Sequence, residues 1–197
     1  MEIKNLQQSD ISKIIYLENE TWPEGTRASK ENFESRLNIF PDGVIGSLVD
    51  DDLAGLTTSM IVQLDDLNSI KSWEEITSEG SISNHNPEGN CLYVVSLGVS
   101  PRYQGKGVGY DLIKEQIHLG KRLGLKHLVL GSRIPEFHKF EGTIKEYLAL
   151  KNKDGLSVDS LVRFYQKCGL KIGKVKPNYM EDDKESRNYG LIMYTEL

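Results

Sequence analysis

The run Cys91–Val99 followed, after Ser100-Pro101-Arg102-Tyr103, by Gln104-Gly105-Lys106-Gly107-Val108-Gly109 constrains this 197-residue chain more than any other feature. The apolar stretch CLYVVSLGV reads as a strand buried on both faces, which places it inside an α/β sheet. The glycines then open a helix in which Val108, Leu112, Leu119 and Leu123 share one face, with Ile113 and Ile117 as a second apolar patch. A strand, a glycine turn and a helix start together make an anion site. The first helical N–H groups have no intrahelical partners, and the helix dipole puts partial positive charge there. Glycine lets the backbone approach a phosphate closely.

Spacing separates the cofactors such a turn can serve. A phosphate-binding P-loop needs Lys followed by Ser or Thr, and Lys106 is followed by Gly107. A dinucleotide fold needs G-x-G-x-x-G and an acidic residue after the next strand, but the glycines stand at 105, 107 and 109, and Gly131-Ser132 follow the next strand.

The remaining elements surround this unit. Met1–Leu6 reads as a first strand and Ser9 as the N-cap of a helix running to Glu20. Ser29 caps a second helix carrying Phe33 and Leu37. Val44–Val49 and Leu53–Leu64, joined by three aspartates, read as an antiparallel hairpin. Past the glycine helix, which Gly124 ends, come a strand at His127–Gly131 and a helix near Thr143–Lys151. A second helix opens at Ser157 or Val158 and ends at Gly169, and two closing strands follow at Leu170–Val175 and Tyr189–Thr195. This order predicts a mixed central sheet with helices on both faces. One domain over residues 1–197 is expected from the length. Two segments, at about 65–90 and 134–157, read as insertions within it, the first of them rich in polar residues.

Composition narrows the function classes. Charged residues make up 27% and hydrophobic ones 38%, as in a soluble globular protein. No apolar run approaches the ~20 residues of a membrane span, and the N-terminus lacks a signal-peptide core. Cys91 and Cys168 lie far apart without C-x-x-C spacing, which reads as free thiols in a reducing cytoplasm and not as a metal site or disulfide framework. A net charge of −5 argues against nucleic acid as the main partner.

The segment Val99-Ser100-Pro101-Arg102-Tyr103-Gln104-Gly105-Lys106-Gly107-Val108-Gly109 resembles the acetyl-CoA signature V-x-P-x-x-[QR]-G-x-G-x-[GA] of the GCN5-related N-acetyltransferases, and every fixed position matches. Phe164-Tyr165-Gln166-Lys167-Cys168-Gly169-Leu170 is similar to the later F-Y-x-K-x-G-F element of that family, with Leu170 where Phe is usual. The region from Gly131 to Ser186 is similar to a branch of the family joined to carbon–nitrogen hydrolase domains. The resemblance covers the core over about residues 53–195, the two insertions excepted.

The resemblance implies an acyl-CoA N-acyltransferase fold using acetyl-CoA as co-substrate. Gln104, Gly105, Lys106, Gly107, Val108 and Gly109 would hold the pyrophosphate, with the Lys106 charge directed toward a phosphate. Leu97 and Val99 would flank the pantetheine arm, and a backbone N–H near Leu97 would polarise the thioester carbonyl. Periodicity alone reads Tyr165 as core, on one stripe with Leu161, Phe164 and Cys168. The resemblance implies instead that Tyr165 protonates the leaving thiolate.

The general base stays open. Many members carry a Glu near the position of Gly131; Glu20, Glu24, Glu136, His138 and an ordered water are the alternatives here. Glu20, Glu24, Asp65, Asp66, Glu181, Asp182 and Asp183 lie in loops expected near the acceptor and would attract a cationic amine. The implied activity is acetyl transfer to a primary amine, with homodimerisation an open option. Its alternative is a coenzyme-A-binding module without transfer activity, acting as a sensor or as the partner of a hydrolase.

Overall fold

The computed structural model describes residues 1–197, the Asn68 side chain excepted. A seven-stranded sheet runs in the order β1-β2-β3-β4-β5-β7-β6. Its strands are β1 (Glu2–Asn5), β2 (Ile45–Val49), β3 (Asp52–Val62), β4 (Cys91–Val99), β5 (His127–Ser132), β6 (Lys171–Lys176) and β7 (Gly190–Glu196). Every neighbouring pair is antiparallel except β4 and β5. The helices are α1 (Ile11–Thr21), α2 (Lys30–Ile39), α3 (Trp73–Thr77), α4 (Val108–Arg122), α5 (Ile144–Ala149) and α6 (Ser160–Lys167).

Alternation along the strands sends side chains to two cores. On one face Ile14, Leu17, Phe33 and Leu37 of α1 and α2 pack with Leu48, Leu53 and Leu56. On the other, Val108, Leu112, Ile113 and Ile117 of α4 join the buried residues of β4, β5 and β7. Each fully buried aliphatic side chain contributes about 1.5–3 kcal/mol of transfer free energy. Gly124, at φ +68°, ends α4 in the left-handed conformation, with Lys121 and Arg122 in the last turn complementing its dipole. No helix among the described residues is long and apolar enough to cross a membrane.

Two helix starts differ from the sequence expectation. Ser9 lies inside a short 3-10 turn, Gln8–Asp10, and α1 follows it from Ile11. α6 begins at Ser160 and not at Ser157 or Val158. The Asp159 carboxylate takes the N–H groups of Leu161 and Val162, both at 3.1 Å, so it supplies the cap. Ser157 is held upstream by a backbone bridge to Lys151 and by its N–H to Gln166 Oε1 at 2.8 Å.

Two irregularities in β4 interrupt the sheet. Thr58 pairs with Ser96 while Ser59 pairs with Val94, so Val95 bulges from the ladder. On the other side β4 pairs with β5 only at Cys91, Leu92 and Tyr93. Beyond Tyr93 the two parallel strands part. The segment 65–90 packs along the edge of β3 that β2 leaves uncovered. The Asn86 N–H donates to Ile61 O at 2.9 Å, the Ile61 N–H to His85 Nδ1 at 3.1 Å, and the Trp73 indole N–H to the carbonyl of the bulged Val95 at 2.9 Å.

Candidate active site

A cavity of about 600 Å³ opens where β4 and β5 part. Val94–Val99 form one wall and Leu130 and Gly131 the other, and the glycine loop and the start of α4 close one end. Gly105 (φ +73°) and Gly107 (φ +89°) both occupy the left-handed region, and Gly107 is the N-cap of α4 with no side chain capping it. A Cβ on Gly105 would meet nothing within 4 Å, so the space beside that glycine is open. Gly109 serves another purpose: a Cβ there would lie 3.2 Å from Phe164 and 3.4 Å from Val99. Its absence lets α4 and α6 pack closely, which brings the neighbouring Tyr165 to the cavity wall.

Leu97, Val99, Gln104, Gly105, Gly107, Val108, Gly109 and Tyr165 all line this one cavity. Lys106 does not. Its ammonium sits 5.2 Å from the centroid of the ring of Tyr103, which is itself a lining residue. Tyr165 is 7% exposed, and burial raises its phenol well above the usual range, so it stays protonated near neutrality.

The other end of the cavity is lined by Trp22, Trp73, Arg133 and Met180. Arg133 forms a forked pair with the buried Asp183, at 2.9 and 2.6 Å, and reaches Glu185 at 2.8 Å. The two carboxylates raise its pKa, outweighing burial in the net direction of the shift. Its guanidinium lies 5.7 Å from the Trp22 ring, so the 179–187 loop is tied to the α1 end. These residues come from widely separated loops with no shared motif. In sequence Arg133, Asp183 and Glu185 are marked by the stretch similar to the hydrolase-linked branch, and Asp183 also as an acceptor-side acid, but nothing there pairs them.

Gly131 carries no base, and the structure gives a reason. A Cβ there would fall well inside the contact distance of the Tyr179 ring and hydroxyl, and one at Gly190 would also strike that ring. Tyr179, 1% exposed, therefore lies across both glycines and hydrogen-bonds Tyr93 hydroxyl to hydroxyl. The other sequence candidates are engaged elsewhere. Glu20 accepts the Ser100 hydroxyl at 3.0 Å, Glu136 accepts the Ser160 N–H at 3.2 Å, and His138 Nδ1 sits 2.8 Å from Pro135 O on an exposed side chain. Glu24 is exposed. None of the acidic residues expected to attract an amine lines the cavity. Among the described residues its charged lining is Arg133 and Lys167 alone.

The sequence model of the Acetyltransferase (GNAT) family matches residues 11–139. The chain is 33% identical over 198 residues to "Uncharacterized N-acetyltransferase YkwB" of Bacillus subtilis (strain 168), covering 98% of this chain and 87% of that protein. It is 31% identical over 195 residues to "Probable hydrolase YhcX" of the same organism. That match covers 98% of this chain but spans only 38% of the relative's length. Among solved structures, a "GphF GNAT-like decarboxylase in complex with isobutyryl-CoA" superposes with a TM-score of 0.86 at 22% identity, covering 100% of this chain and 99% of that one. At that identity the likeness is one of fold.

Proposed function

The chain belongs to the acetyltransferase (GNAT) family, and on that premise we propose that it moves the acetyl group of acetyl-CoA to a primary amine by direct attack in a ternary complex. The observation that carries this reading is the convergence of the glycine loop, the parted strands and Tyr165 on one cavity.

The residues present fit the coenzyme. Left-handed Gly105, with nothing within 4 Å of its Cβ position, and Gly107, whose nearest neighbour there is Asp111 Oδ2 at 4.0 Å, leave room for a pyrophosphate at a helix N-terminus. The stretch of β4 beyond Tyr93 has no β5 partner, so it is open to an extended pantetheine arm along Leu97 and Val99. The bound coenzyme supplies an activated acyl group as a thioester. The Leu97 amide would polarise its carbonyl. Tyr165 holds its proton until a thiolate needs it; with the phenol shifted upward, that donation depends on the thiolate being poorly solvated in the same buried site. Trp22, Trp73 and Met180 would exclude water from the acyl end.

Calorimetric titration with acetyl-CoA, using ATP and NAD as controls, tests the coenzyme. Saturable binding of acetyl-CoA alone supports the reading. Release of free thiol with primary amines then tests transfer. Failure to bind acetyl-CoA refutes both.

A second reading is a coenzyme-A-binding module without amine transfer, a sensor or the partner of a hydrolase. Two observations favour it: no carboxylate stands among the described cavity-lining residues, and the chain spans 38% of a probable hydrolase. Coenzyme binding without thiol release to any amine would establish it over the first.

A further inference from the structure

Behind the tryptophan end of the cavity lies a second chamber of about 10 Å³, close to the room one water requires. It shares Trp22, Trp73, Val95, Ser96 and Met180 with the main cavity. Glu18 of α1 and Arg36 of α2 also line it, at 5% and 0% exposure. Arg36 Nε donates to Gly80 O at 2.7 Å, and Nη1 to Thr58 Oγ1 at 3.2 Å and Ser96 Oγ at 3.4 Å. Its Nη2 is buried and meets no protein acceptor. Glu18 Oε1 accepts the Ala28 N–H at 2.8 Å, which leaves Oε2. An orphaned donor on a buried cation is costly. A water in the chamber that both residues line would give Nη2 an acceptor and Oε2 a donor.

We propose that Glu18, through a water held against Arg36 Nη2, is the proton acceptor for the attacking amine. The inference rests on the amine-transfer reading above. It supplies the carboxylate that the main cavity wall lacks, one layer behind the Val95–Ser96 wall. An ammonium acceptor sheds two protons on becoming an amide. The first passes through the water to Glu18 and leaves to solvent on turnover. As the nitrogen–carbon bond forms, the carbon–sulfur bond breaks with its electron pair on sulfur. The second proton then leaves nitrogen for solvent, while sulfur takes the Tyr165 proton, which solvent replaces. Glu18 acts through the water and so positions and accepts without touching substrate.

Burial raises the Glu18 carboxyl above its usual range, against the opposing Ala28 N–H bond and the charges of Arg36 on α2 and Arg27 on the connecting loop. From α3, β4 and the loop at Met180 the chamber receives Trp73, Val95, Ser96 and Met180, none of them titratable.

The test uses the whole chain, acetyl-CoA and two probe amines. Butylamine is an ammonium near neutrality, whereas hydroxylamine is uncharged and needs no initial deprotonation. Glu18→Gln keeps an acceptor for Ala28 and should leave acetyl-CoA affinity unchanged by calorimetry. It should lower kcat/KM for butylamine by about 100-fold, the low end of general-base contributions, and lower that for hydroxylamine only a few-fold. A second readout needs no variant. The wild-type butylamine profile should rise through an acid limb and level off well below the amine's own pKa. A profile climbing with unit slope to that pKa overturns the proposal, as does an equal effect of Glu18→Gln on both amines. Wild-type protein that binds no acetyl-CoA, or releases no thiol with either amine, overturns the transfer reading and the Glu18 role with it. A Glu18→Gln variant as active as the wild type on butylamine overturns the Glu18 role alone.

Discussion

Replacing Gly131 by Ala tests the account of why no base stands on β5. The added methyl would occupy space held by the Tyr179 ring, and the ring has no retreat. The ring also lies against Gly190 and its hydroxyl meets that of Tyr93, while the Tyr179 backbone is fixed, its N–H donating to Asn188 O at 2.8 Å and its carbonyl accepting the Trp73 backbone N–H at 2.7 Å. Tyr179 must therefore leave its site, forfeiting the burial of a large aromatic and its bond to Tyr93. Losses of that kind cost roughly 3–5 kcal/mol, or about 6–20 °C in Tm for a chain of this size. Tyr179→Ala forfeits the same interactions by truncation and should cost about as much. The double variant should then cost little more than either single one, a coupling of about 3–5 kcal/mol, close to one whole single-variant cost. Urea unfolding of the four proteins measures it. Additive costs, or a Gly131→Ala protein as stable as the wild type, would refute the claim that Tyr179 and a β5 side chain compete for one space.

Tyr165→Phe keeps the buried ring, so acetyl-CoA affinity should hold while kcat for thiol release falls by about 100-fold or more. Gly107→Ala forces a Cβ into φ +89°, at roughly 1–3 kcal/mol of strain; calorimetry should show acetyl-CoA binding weakened by about tenfold. His85 accepts the Ile61 N–H at Nδ1 and stacks on Phe40 at 4.6 Å, and burial lowers its pKa from 6.5. The unfolded chain then takes the proton at higher pH than the folded one, so this stabilisation is complete above pH 6.5 and is lost as pH falls through the folded pKa. Tm should drop across that window, and His85→Asn, which retains an acceptor, should remove the step.

The legible half of this molecule is the half in which backbone conformation does the work. Glycines at 105, 107 and 109 declare a left-handed turn and a close helix approach, and the unbroken apolar run of β4 and the short one of β5 declare a parallel pair. Capping chemistry at Ser29 and the stop at Gly124 are equally local. Ser157 misleads because a hydroxyl next to a helix looks like a cap, whereas the Asp159 carboxylate two residues later claims the helix N–H groups. The parting of β4 from β5 after Tyr93 follows from the family resemblance and not from the residue pattern, and nothing in the sequence signals the bulge at Val95. Those depend on what packs across the sheet.

The acceptor half is written in side chains that meet only after folding. Asp183 reads in sequence like one more solvated acid, yet it is 1% exposed and clamps Arg133. Tyr179 excludes a side chain at Gly131 from more than forty residues away in sequence. Glu18 and Arg36 sit on separate helices and come together only through the α1–α2 packing. These three arrangements share one logic. The acids that loop position offered as lures for a cation are spent on internal contacts or lie off the cavity, so the main wall keeps two cations and no anion. The Arg133 charge is met by Asp183 and Glu185 just behind that wall, so the wall sets no strong charge preference of its own. On the proposed transfer reading the amine sheds a proton before it attacks, and the buried carboxylate adjoining that wall is Glu18. Acceptor selectivity should accordingly track ease of deprotonation and apolar fit to Trp22 and Trp73 more than positive charge. A preference for polycationic acceptors over simple alkylamines would contradict that view.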